Sequence, residues 1–407
     1  MEDAAETAAR TSYGRLVALL AGSSGDLQLA EDTLAHAFEQ ALTTWPTNGV
    51  PANPEGWLLT VARNRQRDVW KSADRRRWVP LEAVVGSAAE PGPALDDFDV
   101  EAIPDRRLAL LFVCGHPAIA RNVRTPLMLQ TVLGFDSAQI ARAFAVPAAT
   151  MQQRLVRAKR RIRDARIPFD LPGRSVMAER MPAVLEAVYG CYALTTPGEE
   201  GAESLSAEAR YLATTLAALL EDEPEAWSLA ALLALASARA RTTDSFLPLE
   251  EQDPSTWHVD LIVEGEGYLR RAERPGRPPG RFQLEAAIQA VHCDRVRGEG
   301  TDWSALSTLY AALVAIAPSL GSRLAQAAVV SRTESPAAAL QLLDALPPER
   351  ERFQPYHATR ADVLARAGRA ADAADAYRTA AALTEDPVTA RFLCGRAVAW
   401  EQAGGTI

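Results

Sequence analysis

The stretch DSAQIARAFAVPAATMQQRLVRAKRRIR, residues 136–163, predicts two short helices separated by a tight turn. Asp136, followed three residues later by Gln139, has the spacing of a capping box and predicts the start of the first helix. Val146-Pro147 predicts the turn. The second helix has apolar residues at intervals of four, three and four, which predicts a buried stripe of Met151, Leu155, Ala158 and Ile162. This order is typical of a helix-turn-helix.

The remaining surface of the second helix is rich in glutamine and arginine. Such side chains can pair with adenine and guanine edges in the major groove of DNA, and arginines farther along can contact phosphates. A solvated amphipathic helix is the simpler interpretation, but the capped first helix and the turn favour DNA contact. We expect base contacts from Gln152, Gln153 and Arg154, and phosphate contacts from Arg157, Lys159 and Arg160.

The composition predicts an all-α protein. The 407 residues are 48% hydrophobic, and alanine and leucine dominate while runs of β-branched residues are scarce. The cysteines form no close pair in the sequence, so neither a disulfide framework nor a zinc ribbon is predicted. The N-terminus is acidic, and no stretch is apolar for long enough to span a bilayer. We expect a cytoplasmic protein with no membrane contact, no metal and no cofactor.

The net charge of −9 is distributed unevenly. Residues 1–170 hold 21 Lys and Arg against 20 Asp and Glu, whereas residues 171–407 hold 22 against 32. Seven basic residues lie within 63–77, and residues 82–105 hold seven acidic residues and no basic one. This pattern predicts two basic modules joined by an acidic, flexible linker and followed by an acidic tail.

A loop rich in Pro, Gly and Asn is predicted at residues 44–54, just before the first basic helix. Trp45 and Trp57 flank this loop. Stacking surface beside arginine is what binding of single-stranded nucleic acid requires. The alternative, equally open for Trp57, is that both tryptophans are core residues.

The end of the chain has the pattern of a tetratricopeptide repeat, with Gly368 as the turn between two helices. Small and large packing residues fall at the expected positions: Ala361, Leu364, Ala373, Tyr377 and Ala380. Pro387 lies near the position of the proline that ends such a repeat. Ala327, Ala339 and Leu343 fit the same pattern less completely, as a second and weaker repeat. Repeats of this kind stack into a concave binding surface.

The residues also carry a family resemblance. LQLAEDTLAHAFEQAL (27–42) and NPEGWLLTVARNRQRDVWKSADRRR (53–77) resemble region two of bacterial extracytoplasmic-function (ECF) sigma factors of the sigma-70 family, and residues 107–165 resemble their region four. LLFVCGHPAIA (110–120), GRFQLEAAIQAVH (280–292) and YHATRADVLARAGRAADAADAYRTA (356–380) resemble the subgroup with a helical, tetratricopeptide-like tail.

The resemblance implies an RNA polymerase sigma factor that binds core polymerase and directs promoter recognition and opening in transcription initiation. It divides the chain into region two (1–78), an acidic linker (79–105), the region four helix-turn-helix (106–168) and a C-terminal helical extension (169–407). The expected partners are core RNA polymerase, promoter DNA and a protein partner of the tail. Promoter opening would need no catalytic residue in this chain.

The resemblance also assigns site residues. Those matching the helix that docks on core polymerase are Glu31, Asp32, His36 and Phe38. Those expected to contact the minus-ten element, where a flipped base enters a pocket, are Trp57, Arg63, Asn64, Arg67 and Lys71. Those expected at the minus-thirty-five element are Thr150, Gln152, Gln153, Arg154, Arg157, Lys159 and Arg160.

The chain departs from the family pattern in three places. Relatives have two adjacent cysteines before a His-Pro, whereas here Cys114-Gly115-His116-Pro117 offers too few ligands for a zinc site and is interpreted as core packing. Where relatives have a stretch like Asn-Glu-Gly-Tyr early in the tail, this chain has Tyr189-Gly190-Cys191-Tyr192. Where relatives have an acidic-basic-Trp motif, this chain has DPSTWH (253–258). The partner of the tail is therefore expected to differ.

Two other classes of protein are alternatives. A helix-turn-helix regulator with a helical sensor domain explains residues 136–165 and the tail, but leaves 27–77 unexplained. A hydrolase or transferase in the tail lacks a phosphate loop, a nucleophile elbow or a metal-ligand cluster, so no enzyme is predicted. The acidic tail is further expected to regulate in cis, by contacting the basic modules or a partner.

Overall fold

The computed structural model describes residues 2–77, 103–195, 202–239, 246–298 and 300–404. Every regular element within these residues is a helix, so the prediction of an all-α protein is confirmed. None of the described helices combines the length and the low polarity that crossing a bilayer would require. The acidic linker predicted at 79–105 lies almost entirely outside the described residues.

The chain forms two compact units, Met1–Leu216 and Ala217–Ile407. The limit between region four and the tail, expected at residue 168, falls inside the first unit. The four segments named from the sequence therefore stay predictions of functional modules. Their limits do not coincide with the limit between the two compact units.

The first unit holds eight helices and most of a ninth within its described residues. They are α1 (Glu2–Ser24), α2 (Leu27–Asn48), α3 (Pro54–Arg77), α4 (Ile103–Cys114), α5 (Arg121–Thr131), α6 (Ser137–Ala143), α7 (Ala148–Asp164), α8 (Arg174–Leu194) and α9 (Ala202–Leu219).

Helices α1, α2 and α3 contact one another and form the first part of this unit. Asp26 caps α2, because its carboxylate accepts hydrogen bonds from the backbone N–H groups of Gln28 (3.0 Å) and Leu29 (3.2 Å). Buried apolar residues of all three helices form the core of this group: Leu16, Leu20, Leu34, Ala37 and Leu58.

The centre of the unit is α4, whose residues Leu108–Cys114 are all buried. A helix that is apolar all round needs neighbours on every side, and α4 contacts α1, α5 and α8. Arg107 in its first half is buried and forms an ion pair with the half-buried Glu208 of α9. Arg180 of α8 donates to the carbonyl oxygen of Phe112 at 2.9 Å. These contacts hold α8 and α9 in the first unit.

The second unit stacks its helices in the order of the chain, each contacting the next. They are α10 (Pro224–Ser237), α11 (Val259–Ala272), α12 (Arg281–Cys293), α13 (Trp303–Ile316), α14 (Leu320–Thr333), α15 (Pro336–Asp344), α16 (Gln354–Arg366), α17 (Ala370–Ala382) and α18 (Pro387–Gly404). Contacts between neighbours in sequence are typical of helical repeats.

Two successive helical pairs, α14–α15 and α16–α17, bury equivalent positions. Ala327, Ala339 and Leu343 are buried in the first pair, and the residues 34 positions later, Ala361, Ala373 and Tyr377, are buried in the second. Thirty-four residues is the period of a tetratricopeptide repeat. The predicted turn at Gly368 is present, with a φ of +74° that glycine adopts without strain.

Two glycines of α1 have opposite surroundings and provide a matched test of packing. A Cβ on the buried Gly14 would overlap the carbonyl oxygen of Val132, whereas a Cβ on the exposed Gly22 would meet no atom closer than 3.6 Å. We expect Gly14→Ala to lower the free energy of unfolding by about 3 kcal/mol through overpacking. Gly22→Ala should raise it by up to about 1 kcal/mol, since alanine favours the helix. Urea denaturation measures both, and equal effects would contradict the close approach.

His292 on α12 predicts a pH dependence of stability. Burial, together with Arg239 and Arg295, lowers its pKa to about 4. A histidine that resists protonation when folded contributes stability above its unfolded pKa, and this stability is lost as the pH falls from about 6.5 towards 4. We expect His292→Gln to remove about 2 kcal/mol of the stability loss between pH 7 and pH 5. Urea denaturation of both proteins at each pH measures this; identical pH profiles would refute it.

Candidate nucleic-acid interface

The two helices and the turn between them are formed where the sequence predicts them. Asp136 accepts hydrogen bonds from the N–H groups of Ala138 and Gln139 at 2.8 Å each, and the Gln139 side chain accepts from the Asp136 N–H at 3.0 Å, which completes the capping box. Between α6 and α7 the chain turns through Ala145, whose φ of 50° is left-handed. The predicted stripe of α7 is buried: Met151, Leu155, Ala158 and Ile162.

The glutamine and arginine surface of α7 is mostly free of the core. Gln152, Gln153, Arg157 and Arg160 are exposed, while Thr150 and Arg154 are half-buried. Helical spacing places Gln153, Arg157 and Arg160 on one face. These six residues, between Thr150 and Arg160, form the polar surface of α7, outside the buried stripe.

Lys159 differs from its neighbours, because its side chain is only 7% exposed. Its Nζ donates to Oε2 of Glu31 on α2 at 2.5 Å, and Glu31 is itself 11% exposed. Burial raises the pKa of Glu31 although the ammonium beside it acts in the opposite direction. The expectation of an exposed Lys159 is corrected: α7 docks on α2 through this ion pair. Arg163 adds a weaker contact, 3.8 Å from Asp26.

The other residues assigned to the polymerase-binding helix lie on the outer part of α2. Asp32 is exposed and accepts from the side chain of Gln28 at 2.9 Å. His36 and Phe38 are half-buried, and the His36 ring lies 3.8 Å from the carboxylate of Glu39. Glu31 alone of the predicted set is engaged with α7. The structure therefore brings one residue of this set together with one residue of the minus-thirty-five set.

The residues assigned to the minus-ten element all lie on α3. Arg63, Arg67 and Lys71 are spaced four apart, which aligns them along one helix face. Asn64 is exposed and accepts from Arg67 at 3.3 Å. Burial lowers the pKa of Arg63, and the positive charges of Arg67 and Arg106 lower it further. Crowded cations of this kind favour an anionic ligand.

The two tryptophans near the start of α3 pack on each other. Trp45 is fully buried, and its ring meets that of the half-buried Trp57 edge-on, with centroids 5.6 Å apart. Trp45 also belongs to α2, which runs through Pro46 to Asn48, so the predicted loop at 44–54 is shorter than expected. Trp57 itself is half-buried beside that loop.

One aromatic residue of α3 was missed by the sequence reasoning. Trp70 is 42% exposed, three residues after Arg67 on the same helix face. A tryptophan at helical spacing within a basic run is the signal that could have identified it, because exposed aromatic rings between cations are a stacking surface for bases.

The Cys114–Pro117 segment is packed as predicted for its cysteine. Cys114 is buried, its Sγ lies 3.5 Å from Oγ1 of Thr131, and burial raises the pKa of its thiol to about 12. His116 accepts a hydrogen bond from the N–H of Ala118 at 3.1 Å. Across the described ranges, no three His, Cys, Asp or Glu side chains are grouped so that they could hold a metal ion.

The chain is similar to proteins of two kinds. Over 377 residues, 90% of this chain and 89% of the relative, it is 36% identical to an uncharacterized protein of Rhizobium meliloti. Residues 180–273 match DUF6596, a family of unknown function. Over 167 residues it is 30% identical to the probable ECF RNA polymerase sigma factor SigI of Mycobacterium tuberculosis, covering 40% of this chain and 56% of that protein.

A second sigma factor gives a similar match. The probable RNA polymerase sigma factor RfaY of Xanthomonas campestris is 27% identical over 164 residues, 38% of this chain and 40% of RfaY. The chain thus aligns with about half of the length of these sigma factors. No solved structure matches the chain significantly. The similarity supports distant homology to the sigma-70 family over part of the chain.

The buried pair between α7 and α2 provides a test of how the two helices dock. We expect Lys159→Ala to lower the free energy of unfolding by about 3 kcal/mol, because it leaves the Glu31 carboxylate buried without its partner. Arg157→Ala, two residues earlier and on the exposed face of α7, should change it by less than about 0.5 kcal/mol. Urea denaturation compares the two variants. Equal stability of both would show that Lys159 is not held against α2.

Proposed function

The chain belongs to the same family as the Rhizobium meliloti protein with which it aligns along nine-tenths of both sequences, and from this premise we propose that it is an RNA polymerase sigma factor of the ECF type. In this function it binds core polymerase, recognises a promoter and assists its opening in transcription initiation. It works where core polymerase is, in the cytoplasm. The observation that carries the proposal is the polar surface of α7, in a helix-turn-helix of a chain with distant sigma-factor homology.

The polar surface of α7 suits the major groove of duplex DNA. Gln152 and Gln153 are exposed near the start of the helix, the part that reaches base edges in helix-turn-helix proteins. Glutamine offers the paired donor and acceptor that adenine requires, and arginine those that guanine requires. Arg154, Arg157 and Arg160 follow within two turns. We assign the glutamines and Arg154 to bases, and the later arginines to phosphates, which fix the register.

The basic face of α3 suits the melted strand of the minus-ten element. Arg63, Arg67 and Lys71 follow one line along the helix, and cations at this spacing attract successive phosphates. Trp57 offers a partly exposed ring at one end of the line, and Trp70 a more exposed ring at the other. Bases taken out of the stack find aromatic surface there. Asn64 supplies a side-chain amide beside this line.

The exposed side of α2, with Asp32, His36 and Phe38, is assigned to core polymerase. Lys159 and Glu31 neutralise each other in the arrangement described here. Contact of Lys159 with a phosphate, and of Glu31 with polymerase, therefore requires α7 to separate from α2. In this proposal, the free protein holds the two binding surfaces together, and polymerase separates them.

Transcription by reconstituted polymerase tests the proposal. The full chain should bind core polymerase and direct it to discrete start sites on a promoter library. Gln152→Ala with Gln153→Ala should reduce discrimination between upstream elements by roughly tenfold or more, since a base contact is worth about 1–3 kcal/mol. The matched control, Gln341→Ala, removes an exposed glutamine of α15 and should leave transcription unchanged.

The opposite outcomes are informative as well. Failure to bind core polymerase, together with the absence of any specific start site, would exclude a sigma factor. Specific binding of duplex DNA without polymerase would instead favour a helix-turn-helix regulator with a helical sensor domain.

A further inference from the structure

A short acidic segment of the second unit lies against helices that follow it much later in the chain. The segment is Phe246–Gln252, with the sequence FLPLEEQ, and it lies between α10 and α11 in the chain. Its side chains contact α14, α16 and α18. These partners are between 82 and 145 residues away along the chain. Such contacts are not imposed by local connectivity.

Three arginines of those helices hold the two adjacent carboxylates of the segment. Glu250 pairs with Arg332 of α14 and lies 3.7 Å from Arg366 of α16, while Glu251 pairs with Arg396 of α18. Arg332 and Arg366 are 34 residues apart and thus occupy equivalent places in successive helical pairs. Arg332, Arg366 and Arg396 therefore offer successive binding positions for carboxylates along the stacked helices. We call the surface around these three arginines the arginine groove.

The groove also orients its arginines. Asp362 accepts from Nε of Arg366 at 2.9 Å and lies 3.6 Å from Arg332. The guanidinium of Arg332 lies over the ring of Trp303, 4.6 Å from its centroid, and this side chain is only 14% exposed. A stacked and partly buried guanidinium has lost most of its freedom, so it binds a carboxylate at a lower entropic cost.

The backbone and the aromatic end of the segment are recognised as well. Arg295 donates to the carbonyl oxygens of Leu249, of Glu250 at 3.2 Å and of Gln252 at 3.0 Å. At the other end, the ring of Phe246 meets that of Phe392 on α18 at 5.0 Å between centroids. The groove and the residues beside it therefore contact three features of the segment: an aromatic ring, main-chain carbonyls and a pair of carboxylates.

The segment is held as a ligand is held rather than as a core strand. Phe246 and Leu247 are 36% and 44% exposed, and Glu250 and Glu251 are 44% and 45% exposed. Ion pairs with this exposure are individually weak. Leu249 is half-buried against the cluster that includes Leu235, Trp257 and Cys293, so departure of the segment costs the burial of this leucine as well as the ion pairs. Its advantage is its attachment to the same chain, which keeps its effective concentration high.

We propose that the arginine groove is a docking site for an acidic peptide of a partner protein, and that Phe246–Gln252 occupies it in cis as a competing ligand. The peptide carries an aromatic residue followed four residues later by two adjacent carboxylates. The charge argues for this chemistry: residues 171–407 hold 32 acidic against 22 basic residues, yet Arg295, Arg332, Arg366 and Arg396 converge on one acidic stretch. Stacked helical repeats bind extended peptides on such surfaces.

A labelled peptide with the sequence FLPLEEQ provides the test, measured by fluorescence anisotropy at low salt with the full-length protein. Glu250→Ala with Glu251→Ala weakens the cis ligand and should increase peptide affinity roughly tenfold or more over the wild type. Arg366→Ala with Arg396→Ala, added to that variant, should reduce affinity by roughly tenfold or more. The matched control adds Arg378→Ala, an exposed arginine that pairs with Asp375 and Glu401 instead, and should leave affinity unchanged.

A variant peptide and hydrogen exchange provide two further tests. The peptide FLPLQQQ should bind roughly tenfold more weakly than FLPLEEQ, because it lacks both carboxylates. In the wild type, excess FLPLEEQ should increase hydrogen exchange at residues 246–252 as the segment is displaced, which avoids any substitution. No binding to the opened variant, or binding indifferent to Arg366 and Arg396, would overturn the proposal. Neither polymerase nor DNA is present, so the outcome is independent of the proposed sigma-factor function.

Discussion

The buried ion pair between Lys159 and Glu31 is the constraint on which the first unit depends. Both groups are largely removed from water, at 7% and 11% exposure, so neither can lose the other without a large desolvation cost. The pair fixes how α7 rests on α2, and with it the direction of the polar surface of α7. It also joins a residue proposed to contact DNA to one proposed to contact polymerase, which couples the two proposed binding events.

The second unit uses the same chemistry at a different burial. Glu250 and Glu251 pair with arginines while remaining about half exposed. Water can replace each of these contacts at little cost, whereas Lys159 is largely removed from water. The degree of burial thus separates an ion pair that maintains an arrangement from ion pairs that are exchanged for a partner. This difference is the physical basis for treating the arginine groove as a docking site.

Local signals in the sequence were sufficient to predict α6, α7 and the turn between them. The Asp136–Gln139 capping box and the stripe of α7 depend on neighbours within one or two turns, so both were predicted from spacing. Trp45 was placed in a loop because residues 44–54 are rich in Pro, Gly and Asn. The helix continues through Pro46. Proline has no N–H to donate to the carbonyl oxygen of Leu42, four residues earlier. Leu42 is exposed, so water can take the place of the missing N–H donor. α2 ends instead at Asn48, and Gly49, which caps it, has a φ of +82°.

Contacts distant in sequence were not predictable. Nothing near Lys159 indicates that its partner lies 128 residues earlier, and FLPLEEQ has the composition of an ordinary loop. The same limit applies to the DUF6596 match at residues 180–273, which begins within α8 of the first unit and ends just beyond α11 of the second. It contains the acidic segment but none of Arg332, Arg366 and Arg396. This family therefore does not correspond to one compact body, and the segment it contains acquires its binding chemistry only from helices that lie beyond it.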